Sequence, residues 1–275
     1  MPPDLLAAAA VLAAATLPPP APACLGCSPG PVEPGPPAPS PPSSPAVEAR
    51  GRWFAGAGGG WSTLSHGRSG TWRRREAFVG LRDGASAVTL SGEWQRRDGP
   101  TDITFSVRGD HGREGGSVYL VALATPHANF SERWGLRGGG ELRLARRLDL
   151  AADARLSHYA SGTSTALSAG PRLWTADRRA SARLRGIAQW DEGGRQRFGW
   201  ASDASFEASD AIHLATGLSR YPETDAGVTR RTRSAFASLA WRTDRSLTLR
   251  GAVEREERAR SYRRDSVNLS VALDF

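Results

Sequence analysis

From Arg50 onward the sequence alternates apolar and polar residues with a period of two, in segments separated by turn residues roughly every 12 to 18 positions. No stretch there holds an apolar period of 3.6 residues, so strands and not helices must build the fold. The last ten residues, SVNLSVALDF, show the pattern most clearly. Val267, Leu269, Val271, Leu273 and Phe275 fall on one side of an extended strand, and Ser266, Asn268, Ser270, Ala272 and Asp274 on the other. The same reading predicts fourteen strands at 52–64, 72–82, 85–96, 101–109, 116–124, 130–144, 147–159, 163–174, 179–190, 195–207, 211–220, 228–241, 245–256 and 262–275. Pro171 is a misfit inside the eighth, because it lacks a ladder donor, and an early strand end or a bulge is expected there.

Alternation alone also fits a soluble sandwich, so the content of the two faces decides. A sandwich needs a core of large aliphatics, whereas the apolar face here is lean in them and rich in Ala and Gly. The opposite face is strongly charged, with Arg133, Arg137, Glu141 and Arg143 on one strand and Asp149, Asp153 and Arg155 on the next. A membrane barrel accommodates both features, because lipid solvates its outside while charges pair inside. Trp53, Trp61, Trp94, Trp134, Trp190, Trp200, Trp241 and Phe275 lie near strand ends or on the apolar face, as interfacial aromatic bands require. The fold class expected is all-β: a transmembrane antiparallel up-and-down barrel of about 14 strands (12–14). Closure would leave no unpaired edge.

The first fifty residues differ in kind. Residues 5–17, LLAAAAVLAAATL, have the length of a signal-peptide apolar core and are too short to span a bilayer; Ala21 and Ala23 supply a small-x-small cleavage site. The preceding MPPD carries an acid where such segments are positive. Fifteen of the nineteen prolines lie before residue 51, which predicts an extended spacer without a core. The expected organisation is a signal peptide at 1–23, a Pro-rich disordered linker at 24–50 and an outer-membrane barrel at 51–275. Cys24 and Cys27 form a lone CxxC with no strand–helix context, so neither zinc nor redox chemistry is read from it. Ala21 stands where lipidation sites prefer Leu, which argues against a lipidated Cys24.

Lysine is absent, and residues 50–275 carry 36 arginines against 25 acids. These arginines are scattered along strands and not clustered on a helix, so nucleic acid is not expected as a partner. By parity the interior is lined by Glu93, Arg108, Arg133, Arg137, Glu141, Arg143, Asp153, Arg155, Arg183, Arg185, Asp203, Arg250 and Glu254. Such a lining reads either as a positively biased passage for anionic solutes such as acidic saccharides, or as a plug of paired charges.

Catalytic alternatives are weaker. Ser157 and His158 are neighbours on a strand and face opposite sides. The five histidines are dispersed, which argues against a metal cluster. Asp191, Glu192 and Asp225 fall in outer loops and could serve a rim protease, although acids are ordinary in solvated loops. Neither a cofactor nor a metal is expected.

From about Phe54 to the end, the segments GGGWSTLSHG with EAFVGLR, FSERWGLRGGGELRL, DARLSHYASGTSTALSAGPRLW and GLSRYPETDAGVTRRTRSAFASLAWRTDRSLTLRGAVERE resemble the YaiO family of outer-membrane β-barrels. The resemblance implies an integral barrel in the cell outer membrane and suggests an association with surface polysaccharide. Some relatives are similar in carrying helical repeats before the barrel, where this chain has its proline-rich spacer. A strand ending on Phe275, with Leu273, Val271 and Leu269 on its face, is what the barrel assembly machinery reads in its clients; that machinery and outer-membrane lipid are the expected partners. The function expected is a non-enzymatic narrow channel or envelope component. Its rivals are a barrel enzyme acting on lipid or peptide at the outer rim, and a soluble secreted β-rich binding protein.

Overall fold

A computed structural model describes residues 51–66, 69–225, 228–243 and 246–275. The expected signal peptide and linker, with Cys24 and Cys27, lie outside the described residues. Fourteen strands follow in order: β1 (Arg52–Ser65), β2 (Gly70–Asp83), β3 (Ser86–Arg97), β4 (Thr101–Arg113), β5 (Gly116–Ala124), β6 (Trp134–Ala145), β7 (Leu148–His158), β8 (Thr163–Trp174), β9 (Ala180–Trp190), β10 (Gln196–Glu207), β11 (Ile212–Asp225), β12 (Val228–Arg242), β13 (Leu247–Arg258) and β14 (Tyr262–Asp274). Each pairs antiparallel with its sequence neighbours, and β1 pairs with β14, so the sheet is a closed up-and-down barrel.

The closing seam runs from Phe54 opposite Asp274 to Ser65 opposite Arg263. Phe275 extends it, exchanging backbone hydrogen bonds with Trp53 at 2.8 and 2.9 Å. Its ring is exposed, as are Leu269, Val271 and Leu273 on the same face. Both ends of the barrel chain therefore share one rim, called here the terminal rim. Its connections run from two residues (84–85, 114–115 and 146–147) to five (175–179), whereas the longest connection, the nine residues 125–133, is at the distal rim. Short turns mark the periplasmic side of outer-membrane barrels, which makes the distal rim the external one. Gly84 shows the local chemistry of the tight turns, since its φ of 55° suits a two-residue hairpin and costs a glycine little.

The molecule is apolar outside. Among the described residues, thirty-three large hydrophobic side chains are exposed while nine hydrophobic residues are buried, the reverse of a water-soluble core and enough to set aside the soluble binding protein. Trp61, Trp94, Trp134, Trp190 and Trp200 stand toward the distal ends of their strands, and Trp53, Trp241, Phe206 and Phe275 toward the terminal ends. These are the two interfacial bands of a spanning barrel.

β4 and β11 run four and five residues past their expected ends, so Asp225 lies in β11 and not in an outer loop, and two further local features differ from the expectation. The sixth strand begins at Trp134 and not at residue 130, because Asp102 of β4 draws the preceding residues out of the sheet. Its carboxylate accepts hydrogen bonds from the backbone N–H groups of Asn129 (2.7 Å), Phe130 (3.1 Å) and Ser131 (2.7 Å). The eighth strand continues through Pro171 to Trp174. Its pairing with β7 includes Leu150 opposite Pro171, but its pairing with β9 lapses between Ala169 and Arg172. The proline ring points outward, and the lapse in the β9 ladder at this point leaves no bond there for the missing N–H to make.

Candidate functional site

The buried face of every strand is the barrel interior, and charged side chains populate it. Glu93, Arg108, Arg137, Glu141, Asp153, Arg155, Arg183, Arg185, Asp203, Arg250 and Glu254 lie on this face, each buried or half-buried. Arg143 shares the parity but sits at the terminal mouth, largely exposed, 3.9 Å from Asp149. Arg133 does not belong with them: it lies before β6 begins and is exposed at the distal rim.

Small residues let the ion pairs form. Tyr119 on β5, Gly139 on β6 and Asp153 on β7 share one row of the sheet. The Tyr119 hydroxyl donates to Asp153 at 2.8 Å directly over the glycine, where a Cβ would lie 2.5 Å from Asp153 Oδ1. Ala151 plays the same part between Glu141 and Gly170 in the next row. Across it, Arg172 Nη1 reaches Glu141 at 2.7 Å.

From there the pairs continue along β7 to β10. Asp153 accepts from Ser168 and from Arg185, both at 3.2 Å. Asp203 takes Arg183 at 2.9 Å and lies 3.8 Å from Arg185. Asp149 holds the Trp174 indole at 2.6 Å and Arg178 at 3.0 Å. Near the distal mouth Glu132 lies between Arg137 and Arg155, the latter at 2.8 Å. Burial alone would raise the Glu132 carboxyl, but Arg155 and Arg137 outweigh it and hold the group at about 2.

A second cluster occupies the wall around the seam. Arg264 on β14 lies 3.2 Å from Glu256 and 3.4 Å from Glu254, both on β13. The Tyr262 hydroxyl donates to Glu256 at 2.9 Å, and the Tyr262 ring meets Trp72 edge-on. Arg97 is sandwiched between the rings of Trp72 and Phe130, at 4.8 and 4.2 Å. On β2 to β4, Arg74 bridges Glu76 and Glu93, and Arg108 clasps Asp110. Parity marks Asp149, which the alternation puts on the charged face, and equally Arg172, Glu256 and Arg264, none of which is among the expected interior residues; Asp110 lies beyond the expected fourth strand, and Glu132 falls on the opposite parity of the sixth.

The catalytic candidates are not brought together. Ser157 is fully buried inside, bonded to Arg155, whereas His158 faces outward and stacks on Trp134 with ring centroids 5.3 Å apart. Asp191 serves its own turn, accepting from the backbone N–H groups of Gly193 (3.1 Å) and Arg195 (2.8 Å). Glu192 beside it is exposed. Among the described residues no group of three His, Cys, Asp or Glu could hold a metal ion.

No protein-family model matches the chain, and no curated protein matches it. Among solved structures it is similar to the CymD monoaromatic hydrocarbon channel, with a TM-score of 0.60 and 11% identity over 82% of this chain and 88% of that one. It is also similar to a bacterial polysaccharide outer membrane secretin, with a TM-score of 0.51 and 8% identity over 84% of this chain and all of the other. At these identities the likeness is one of fold. With its closed antiparallel sheet, apolar exterior, aromatic bands and charged interior, the chain is an outer-membrane β-barrel protein.

Proposed function

We propose that this barrel is a non-enzymatic, narrow envelope channel whose interior favours anions, with acidic saccharides as the fitting solute class. The observation that carries the reading is an arginine wall with hydrogen-bonding capacity to spare. Arg137, Arg155, Arg172, Arg183 and Arg185 stand on four consecutive strands, β6 to β9. Arg172 Nε and Nη2 and Arg185 Nε are buried with no hydrogen-bond partner among the described residues. Guanidinium groups present N–H donors in a planar fork that matches carboxylate and phosphate oxygens, so an entering anion can replace part of what the protein leaves unmet.

The near balance of charge on the same wall argues for a restricted passage. Each of these arginines already has a carboxylate within 4 Å, and an anion must compete with it. The YaiO resemblance and the suggested link to surface polysaccharide are part of this proposal, and the polysaccharide named for one structural neighbour is consistent with it. A rim enzyme draws no support from the geometry, because Asp191 is committed to its turn and Ser157 and His158 face apart.

Planar-bilayer conductance with anion–cation selectivity tests the proposal, using the barrel and an Arg137→Glu, Arg183→Glu double variant, each shown by circular dichroism to be folded. Steady anion-selective current, reduced or reversed in the variant, is expected. Silence from the folded parent barrel would make the interior a plug and end the channel reading.

A further inference from the structure

The distal end of the exterior is divided in two. On β4 to β10 the two outward positions nearest that rim carry no arginine, and Ile103, Trp134, Leu156, Trp190 and Phe198 stand among them, which suits the boundary of a hydrocarbon layer. On the remaining wall the equivalent positions are basic except on β1, which sets Trp61, Thr63 and Ser65 between the arginines of β14 and those of β2. Arg231 and Arg233 project from β12, Arg255 from β13, Arg263 from β14, and Arg73 and Arg75 from β2. Arg220 on β11 and Arg96 on β3 extend the arc at its two ends. Two carboxylates share this face: Glu257 stands opposite both Arg233 and Arg263 in the ladder, and Asp265 binds Arg255 at 2.6 Å and Arg263 at 3.4 Å. Eight arginines against two acids leave the arc strongly positive.

Two ladder positions are unfavourable as they stand. Arg73 lies directly opposite Arg96, and Arg220 directly opposite Arg233, with all four side chains on the outside of the sheet. Like charges facing each other across a ladder destabilise the pair. An anion seated between two guanidinium groups converts that repulsion into two charge-assisted contacts. Below the arc the outward face of β14 is apolar from Val267 to Phe275, a run of strand that spans most of a hydrocarbon layer about 25 Å deep. The arginines therefore stand where the headgroups of the external leaflet lie.

We infer that the exterior of β11–β14, β2 and β3 is a binding site for a phosphorylated glycolipid of the external leaflet, held by its phosphates between the opposed arginine pairs while its acyl chains lie along the apolar face below. The site is independent of the interior and of what passes through it. Lipids of this class would be immobilised along one half of the barrel, with the aromatic arc left to exchange freely.

The test is native mass spectrometry of the detergent-solubilised barrel with three probes: a diphosphorylated acylated glucosamine disaccharide, the same lipid without phosphates, and inorganic phosphate. One variant carries Arg73→Gln, Arg96→Gln, Arg220→Gln and Arg233→Gln. A control carries Arg113→Gln, Arg146→Gln, Arg147→Gln and Arg179→Gln at the terminal rim, removing equal charge. The barrel and the control should retain the phosphorylated lipid at least about tenfold better than the first variant and than they retain the dephosphorylated lipid. Equal retention of the two lipids, or equal losses in both variants, would overturn the site. Displacement of the lipid by inorganic phosphate at equal concentration would overturn the lipid as its occupant.

Discussion

The interior wall of β6 to β10 and that of β2 to β4 use the same chemistry in two different settings. On the first, Arg183 and Arg185 are each 3% exposed, and Asp153, Glu141 and Asp149 are buried with them. On the second, the Arg74 side chain keeps 23% of its surface and its partner Glu93 21%. Charges sunk in a low dielectric attract strongly only while every partner is present, because desolvation has already removed the alternative of water. Charges at the second wall retain water as a substitute partner. A contact distance alone, 2.6 Å for Arg74 with Glu93 and 3.2 Å for Arg185 with Asp153, ranks the two pairs in the wrong order. Burial, and not shortness, sets what breaking a pair costs.

The sharpest test is Asp153→Ala, which leaves Arg185 and the Tyr119 hydroxyl facing a gap. It should lower stability in lipid vesicles by about 3 kcal/mol in urea titration, the cost of breaking a buried pair when Arg185 keeps only Asp203 at 3.8 Å. A loss below about 1 kcal/mol would mean that water reaches this wall as readily as the other. Next is acid. Because Glu132 is held at about 2 against an ordinary value of 4.5, its contribution is fully present above pH 4.5 and is lost as pH falls toward 2. That contribution is on the order of 3 kcal/mol by linkage. Glu132→Gln should flatten the stability profile across this interval, and an unchanged slope would remove Glu132 from the network.

Gly139→Ala adds one methyl group over which Tyr119 must reach, and about 1–3 kcal/mol of overpacking is expected. Infrared or ultraviolet Raman detection of the Tyr119 hydroxyl environment should change with it; unaltered spectra would show that the row has slack. The smallest effect belongs to the second wall, where Arg74→Gln should cost at most about 1 kcal/mol. A larger loss there would erase the distinction between the walls.

The strands were largely legible because a period of two needs only the chain itself: β5 and β8 begin and end where alternation puts them, and most of the others within two residues. What the alternation cannot carry is partnership across the sheet. Glu141 meets Arg172 two strands away because Ala151 between them is small, a fact of register and not of either strand. The start of β6 was misplaced for a similar reason, since the capture of residues 129–131 by Asp102 comes from another strand. Parity followed past a strand's true end also misassigned Arg133, whereas Arg172 was missed beside a proline that seemed to end its strand.

All four tyrosines, Tyr119, Tyr159, Tyr221 and Tyr262, are buried on the interior face, whereas tryptophan, except at Trp72 and Trp174, faces outward. The chain thus carries two native optical labels already sorted by compartment. Brominated acyl chains should dim the indole emission and leave the phenol signal untouched, whereas a small water-borne quencher admitted through the mouths should act on the phenols first. Any ligand, voltage or acid step that opens the interior can then be followed by its colour, without attaching a dye.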